Sequence, residues 1–282
     1  MRMPCSFIFS IEIIFVGGRY LIVVKGDGSL VWYWPDDGDG SGSRYPAVGD
    51  VDRDGDLEIG VVGDGLQRDL NLSLLHHNQL KVSGWPYAGE GGTPPIFADL
   101  DVDGYLEIIF YSGEKIHVLD RFGNGVAPWP KSVGGGWTCS LPCAVGDIDI
   151  DGDLEILVKT IGGDEGGLYV FHHNGEVVAG FPIVSKYNFV LGPPNIADVD
   201  GDNKMEILLG ELGFHNDGSV IEGWPPKTKG SIIAAPAFFD IDRDGKSEMI
   251  YGTGINNEGQ LYIRDLEADA VEGSTGFCVE NR

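Results

Sequence analysis

Acidic side chains recur at positions 1, 3, 5 and 9 of a nine-residue stretch found five times in the 282-residue chain. The copies are DVDRDGDLE, DLDVDGYLE, DIDIDGDLE, DVDGDNKME and DIDRDGKSE. They place Asp50, Asp52, Asp54 and Glu58 in the first turn and Asp99, Asp101, Asp103 and Glu107 in the second. Asp147, Asp149, Asp151 and Glu155 follow, then Asp198, Asp200, Asp202 and Glu206, then Asp240, Asp242, Asp244 and Glu248. Two bare carboxylates ~4 Å apart repel by roughly 1 kcal/mol even in water. Carboxylates at alternating positions, a sharp turn and a distal acid make an oxygen cage for a hard divalent cation. The backbone carbonyl of position 7 (Asp56, Tyr105, Asp153, Lys204 and Lys246) faces the same ion in such a cage. The turns contain no His or Cys, which disfavours zinc and copper. Calcium tolerates irregular oxygen shells better than magnesium, so up to five Ca²⁺ sites are expected.

Position 6 is Gly in four copies and Asn203 in the other, the residues that accept a left-handed backbone most readily. An ordinary Asp-Gly turn needs one or two such residues, not four acids in one register five times over. The five turns hold 22 of the 44 acids. Five divalent ions would take the formal charge from −25 to −15.

That negative charge argues against nucleic acid or an anionic membrane surface as partner. An apolar fraction of 42% fits a globular chain, and 44 glycines without enrichment of helix formers point to an all-β fold rich in turns. The most apolar run, FIFSIEIIFVGG from Phe7, carries Glu12 in its middle. It reads neither as a spanning helix nor as a signal peptide. Cys5, Cys139, Cys143 and Cys278 are too few for a disulfide scaffold, and both a disulfide and free thiols remain open. Cys139 and Cys143 lack partners for a zinc site.

More than the turn repeats. A short apolar piece precedes each copy (YPAVGD, PPIFAD, LPCAVGD, PPNIAD, APAFFD) and an apolar strand follows it. A second strand, a polar turn and usually an aromatic-proline close the unit, as in GWP at 84–86 and GFP at 180–182. Ile11–Pro35 reads as the same unit without its acidic turn, Glu12 standing at the ninth position. The units run approximately 1–35, 45–86, 93–130, 140–182, 191–225 and 234–273. Four strands in 40–50 residues is the pattern of a propeller blade. The expectation is one all-β domain over 1–282, a β-propeller of about six four-stranded blades, with seven blades or an incomplete ring as alternatives. Glu206 to Pro225 is short and predicts a shortened blade. The closing aromatic should pack between blades rather than stack on sugar. The tail Ser274–Arg282 is expected to supply the first unit's missing strand, which would bring Cys278 to Cys5 for a disulfide.

His76, His77, His172, His173 and His215 share the polar turn between the last two strands and read as turn residues, while His117 lies in a strand. No nucleophile elbow, phosphate loop or zinc signature is present. A catalytic acid pair occurs once, whereas these acids recur five times, so the chain is expected not to be an enzyme.

The five D-x-D-x-D-[GN]-x-x-E turns, with their flanking PAVGD and LEIGVVG strands, resemble the FG-GAP/VCBS-type propeller repeats, the family that includes the integrin α-subunit head. The resemblance covers about Ile11 to Asp265. It implies calcium between the first two strands of a blade, held in the first loop by Asp50, Asp52, Asp54, Glu58 and the Asp56 carbonyl. It also implies adhesion or ligand binding by loops on one face. Position 9 is Glu where integrin loops carry Asp, so this side chain either binds bidentately or braces the loop. Integrin propellers have seven blades, against six units here. The expected role is an extracellular or cell-surface binding module with a protein or carbohydrate ligand, without membrane insertion. The alternatives are the propeller of a carbohydrate-active enzyme, such as a rhamnogalacturonan-type polysaccharide lyase, and a structural piece of a longer secreted chain.

Overall fold

The run after each acidic turn is apolar at nearly every position, as a strand buried on both faces requires. The computed structural model describes residues 12–17, 20–35, 45–62, 72–87, 92–134, 142–160, 166–184, 192–199, 202–222, 224, 231–232, 236–243, 248–255, 258–265 and 277–279. Among them there are strands and turns but no helix.

Six antiparallel sheets follow the six units. The first holds β1 (Glu12–Gly17), β2 (Tyr20–Lys25) and β3 (Leu30–Pro35), and the second β4 (Ala47–Gly49), β5 (Glu58–Val62) and β6 (Leu72–His76). The third holds β7 (Ile96–Ala98), β8 (Glu107–Ser112), β9 (Lys115–Leu119) and β10 (Lys131–Ser132). The fourth is β11 (Ala144–Gly146), β12 (Glu155–Lys159), β13 (Gly167–His172) and β14 (Ile183–Val184). The fifth is β15 (Asn195–Ala197), β16 (Glu206–Leu209) and β17 (Leu212–Phe214). The sixth holds β18 (Ser231–Ile232), β19 (Ala237–Phe239), β20 (Glu248–Ile255), β21 (Glu258–Asp265) and β22 (Phe277–Val279), with β18 and β19 both on β20.

Among the described residues, only the third and fourth sheets have the four strands expected throughout. In the second, the closing segment makes isolated bridges, Leu75 to Lys81 and Leu72 to Tyr87. The fifth sheet is short, with four residues in β16 and three in β17. The tail expectation is corrected: β22 pairs with β21, Leu261 opposite Val279 and Ile263 opposite Phe277. The last unit lacks a closing aromatic-proline, so the tail completes its own sheet's open edge rather than the first sheet's. Cys5 and Cys139 lie outside the described residues. Cys143 is buried in the core between the third and fourth sheets.

The core is a series of layers between consecutive sheets. Leu21 and Val23 of β2 pack on Ile59, Val61 and Leu75 of the second sheet. Val62, Leu72, Leu74 and Trp85 meet Ile108 and Phe110 of the third. Ile109, Tyr111 and Trp129 meet Ile156, Val158, Tyr169 and Phe171 of the fourth. Leu157, Leu168 and Val170 meet Ile207, Leu209 and Phe214 of the fifth. Every residue of β5, β8, β12 and β16 is therefore buried. Each large apolar side chain so buried contributes roughly 1.5–3 kcal/mol. The first strands touch one another in succession, β4 with β7, β7 with β11 and β11 with β15, which puts the first four acidic turns at the same end of the stack.

The closing aromatics join neighbouring units, as expected. Trp85 Nε1 donates to the Arg121 carbonyl (2.9 Å) and Trp129 Nε1 to the His173 carbonyl (3.3 Å), each in the next unit's turn. In the first unit Trp32 makes the same bond to the His77 carbonyl (2.9 Å).

Candidate metal centres

Gly49 pairs with Glu58, Ala98 with Glu107, Gly146 with Glu155 and Ala197 with Glu206. The acidic turn is thus the connection between the first two strands, and its ninth residue opens the second strand. One hydrogen-bond scheme recurs. The position-1 Oδ2 accepts the N–H of position 6: Gly55 to Asp50, Gly104 to Asp99, Gly152 to Asp147 and Asn203 to Asp198, at 2.9–3.2 Å. The position-5 Oδ1 accepts the N–H of position 7: Asp56 to Asp54, Tyr105 to Asp103, Asp153 to Asp151 and Lys204 to Asp202, at 2.7–2.9 Å. The position-9 Oε2 accepts the N–H of position 2: Val51 to Glu58, Leu100 to Glu107, Ile148 to Glu155, Val199 to Glu206 and Ile241 to Glu248. The ninth Glu therefore braces the loop from below.

Position 6 has positive φ, as its Gly or Asn implied: 92° at Gly55 and 67° at Asn203. Position 4 does too, which the sequence did not signal: Arg53 (61°), Val102 (58°), Ile150 (63°) and Arg243 (65°). A β-branched residue in this region is strained by about 1–3 kcal/mol.

Among the described residues, carboxylate oxygens converge in four of the five loops. Asp50, Asp52 and Glu58 each offer one within 4.8 Å of the others, as do Asp99, Asp101 and Glu107, then Asp147, Asp149 and Glu155, then Asp240, Asp242 and Glu248. Asp149 and Asp151 also converge with His172. Asp99 Oδ1 and Asp149 Oδ1 are buried and accept no hydrogen bond, as expected of ligand atoms that a cation would satisfy. Oxygen donors of this kind suit a hard divalent ion. Asp54 and Asp103 are occupied in the turn and stand outside the convergent groups. In the fourth loop Asp198, Asp202 and Glu206 make the same loop hydrogen bonds. Asp200, Asp244 and Lys246 lie outside the described residues.

The histidines do more than turn the chain. Strand register sets His76 opposite Glu58 and His172 opposite Glu155. Nδ1 lies 3.0 Å from the glutamate Oε1 in both pairs, and 3.4 Å in His215–Glu206. The neighbouring histidines reach position 7: His77 Nδ1 is 3.5 Å from Asp56 Oδ2, and His173 Nδ1 is 3.2 Å from Asp153 Oδ2. The readable signal was the nearly constant separation of Glu and His-His in the second and fourth units. In the sixth sheet the opposing residue is Asp265 and in the first Lys25, while in the third Asp120 follows Leu119, the partner of Ile108.

Burial pushes the Glu58 and Glu155 carboxyls above their ordinary value, opposed by the loop N–H and the histidine. Glu107 has no histidine. Burial, with the nearby Asp101, Asp103 and Asp99 charges, raises it to about 7. A bound cation removes that cost by holding the ionised form.

No protein-family model matches the chain, and no curated protein matches it. Solved structures do. The Vibrio cholerae biofilm matrix protein Bap1 is similar at TM-score 0.58 and 20% identity, over 84% of this chain and 39% of its own. Rhamnogalacturonan lyase YesW is similar at TM-score 0.57 and 17% identity, over 88% of this chain and 57% of its own. BBS1N, solved in complex with ARL6DN, is similar at TM-score 0.58 and 15% identity, over 90% and 74%. The chain thus spans well under two thirds of the first two. At these identities the likeness shows the fold alone, and that fold is propeller-like: all-β, built of small antiparallel sheets stacked in sequence.

Proposed function

We propose that this chain is a calcium-binding β-propeller of the FG-GAP/VCBS type, its six sheets acting as the blades of a ring, and that it serves outside the cell or at its surface as a binding or adhesion module. The observation that carries this reading is the acidic loop repeated in one geometry. Convergent oxygens of Asp50, Asp52 and Glu58, and of their counterparts in the third and fourth sheets, sit at one end of the stack. Buried, unbonded Asp99 Oδ1 and Asp149 Oδ1 point to an ion as the missing partner. Calcium outside cells is abundant, so sites with dissociation constants of roughly 10⁻⁴–10⁻³ M would fill there. The ligand, a protein or a carbohydrate, is taken by loops on one face.

The likeness to a biofilm matrix protein and to rhamnogalacturonan lyases accords with an extracellular or carbohydrate-linked role. A lyase reading is the second one. Incubation with rhamnogalacturonan, following ultraviolet absorbance of unsaturated products, separates the two: the binding-module reading expects none, and product formation would replace it. Calcium itself is tested by calorimetric titration of the metal-stripped chain, where saturable heats with Ca²⁺ are expected and their absence would remove the reading.

A further inference from the structure

The turn before the closing segment places one residue at the same point in the second, third and fourth units, marked by the carbonyl that accepts the preceding unit's Trp Nε1: His77, Arg121 and His173. In the second and fourth units that residue is a histidine facing an aspartate, Asp56 or Asp153. Of these three units, the third exchanges both partners. Arg121 stands for the histidine and Tyr105 for the aspartate, and the Arg121 Cζ lies 3.8 Å from the Tyr105 ring centroid. The next residue, Phe122, is 53% exposed, with its ring centroid 4.6 Å from the same Cζ. Arg53, from the adjacent acidic loop, brings a second guanidinium 5.9 Å from the Tyr105 ring. It lies so close over Gly104 that any Cβ there would collide with Arg53 Nη1.

Where the second and fourth units carry an acid–histidine pair, this one gathers two cations and two aromatic rings. Among the described residues neither guanidinium has a carboxylate at ion-pair distance. On a chain of formal charge −25 these are two cations without a direct ion pair among the described residues, beside an exposed ring. The group is also held in place. Trp85 fixes the Arg121 carbonyl, and Asp120 Oδ1 accepts the N–H of Phe122 (2.9 Å) and of Asn124 (2.8 Å). Such preorganisation lowers the entropic cost of binding.

A guanidinium fork takes a carboxylate through two parallel hydrogen bonds. An exposed aromatic ring beside it offers a flat apolar surface for the C–H face of a sugar. A uronide carries a carboxylate and such a face on one rigid ring, whereas an acidic peptide carries its carboxylate on a flexible stem with no flat face. We propose that Arg53, Tyr105, Arg121 and Phe122 form a binding subsite for a uronide chain. The subsite deepens the proposed binding role and rests on it, because Asp99, Asp101 and Asp103 beside Tyr105 would repel a carboxylate unless a cation fills their loop.

The test is calorimetric titration of the full chain in millimolar Ca²⁺ with trigalacturonate, galactotriose or triglutamate, with melting curves in Ca²⁺ and in EDTA on the same samples. Saturable binding of trigalacturonate alone is expected, weakened about tenfold or more by R121A and by F122A. R121K keeps the charge without the fork and should fall between R121A and wild type, while K115A, on the exposed side of β9, should bind as wild type. The R121A chain retains the carbonyl that Trp85 bonds, and near-ultraviolet dichroism checks that it is folded. Wild-type binding by folded R121A, or equal binding of galactotriose or triglutamate, would overturn the subsite. Absent uronide binding with an intact calcium shift overturns the subsite and leaves the calcium reading standing. Uronide binding that needs Arg121 without any calcium shift supports the subsite and overturns the calcium reading.

Discussion

His172 Nδ1 lies 3.0 Å from Oε1 of Glu155, directly across the β12–β13 pair, while Oε2 of the same carboxylate holds the N–H of Ile148. One buried glutamate thus ties the acidic loop to the third strand of its sheet. His172→Ala leaves a buried acceptor without its partner and should cost about 1–3 kcal/mol in urea unfolding. His76→Ala, which removes the same partner from Glu58, should behave alike. Unchanged midpoints in both would show that the histidines are turn residues only.

Glu107 lacks that partner, and its carboxyl is raised from 4.5 to about 7 in the metal-free fold. Between those values the folded state holds the proton and the unfolded state has released it. Stability contributed by this group is therefore present below pH 4.5 and lost as pH rises toward 7. In EDTA, wild type should lose stability relative to Glu107→Gln across that window. Millimolar Ca²⁺ should flatten the difference by holding the ionised form. Parallel pH profiles in EDTA would contradict the assignment.

Gly84 has φ 94°, and a Cβ there would meet the Phe122 carbonyl of the next unit's turn; Gly180, at 94°, faces the Asp217 carbonyl in the same way. Gly84→Ala and Gly180→Ala should each destabilise by more than about 1 kcal/mol, since both the backbone and the interface between units must shift. Differential scanning calorimetry reads this as a lowered Tm. Wild-type Tm values would show that the units are not closely joined at this point.

The repeat, the strands and the convergence of position-1, position-3 and position-9 acids were legible because each is local: acid spacing, Gly or Asn at position 6, apolar runs of strand length. The brace between Glu155 and His172 was not, because it depends on register across a hairpin. The change of strand number was hidden for a similar reason. YPAVGD and FCV read alike as short apolar pieces, and only the open edge of β21 decides where the tail pairs. The Arg121–Tyr105 contact joins residues 16 positions apart and becomes meaningful only beside His173–Asp153. Position 4 carried almost no signal, since Gly201 stands there in one copy only and Val102 and Ile150 are poor left-handed residues.

That mismatch is itself testable. Val102 is 68% exposed at φ 58°, so Val102→Asn removes strain without removing a core contact. A gain of about 1 kcal/mol is expected in EDTA, from the ordinary cost of a left-handed residue. Guanidinium unfolding measures it. A loss of stability would mean that this conformation is not the one the loop adopts.

The most direct measurement is thermal unfolding in excess EDTA, in 5 mM Ca²⁺ and in 5 mM Mg²⁺. Ions that bind only the folded chain stabilise it by mass action, and the four convergent acidic groups add. A rise of about 10 °C in Ca²⁺ over EDTA is expected, with Mg²⁺ well below it. Superimposed curves in EDTA and Ca²⁺ would show that the acids of Asp50–Glu58 and its counterparts bind no ion, and equal shifts in Mg²⁺ would contradict a calcium cage.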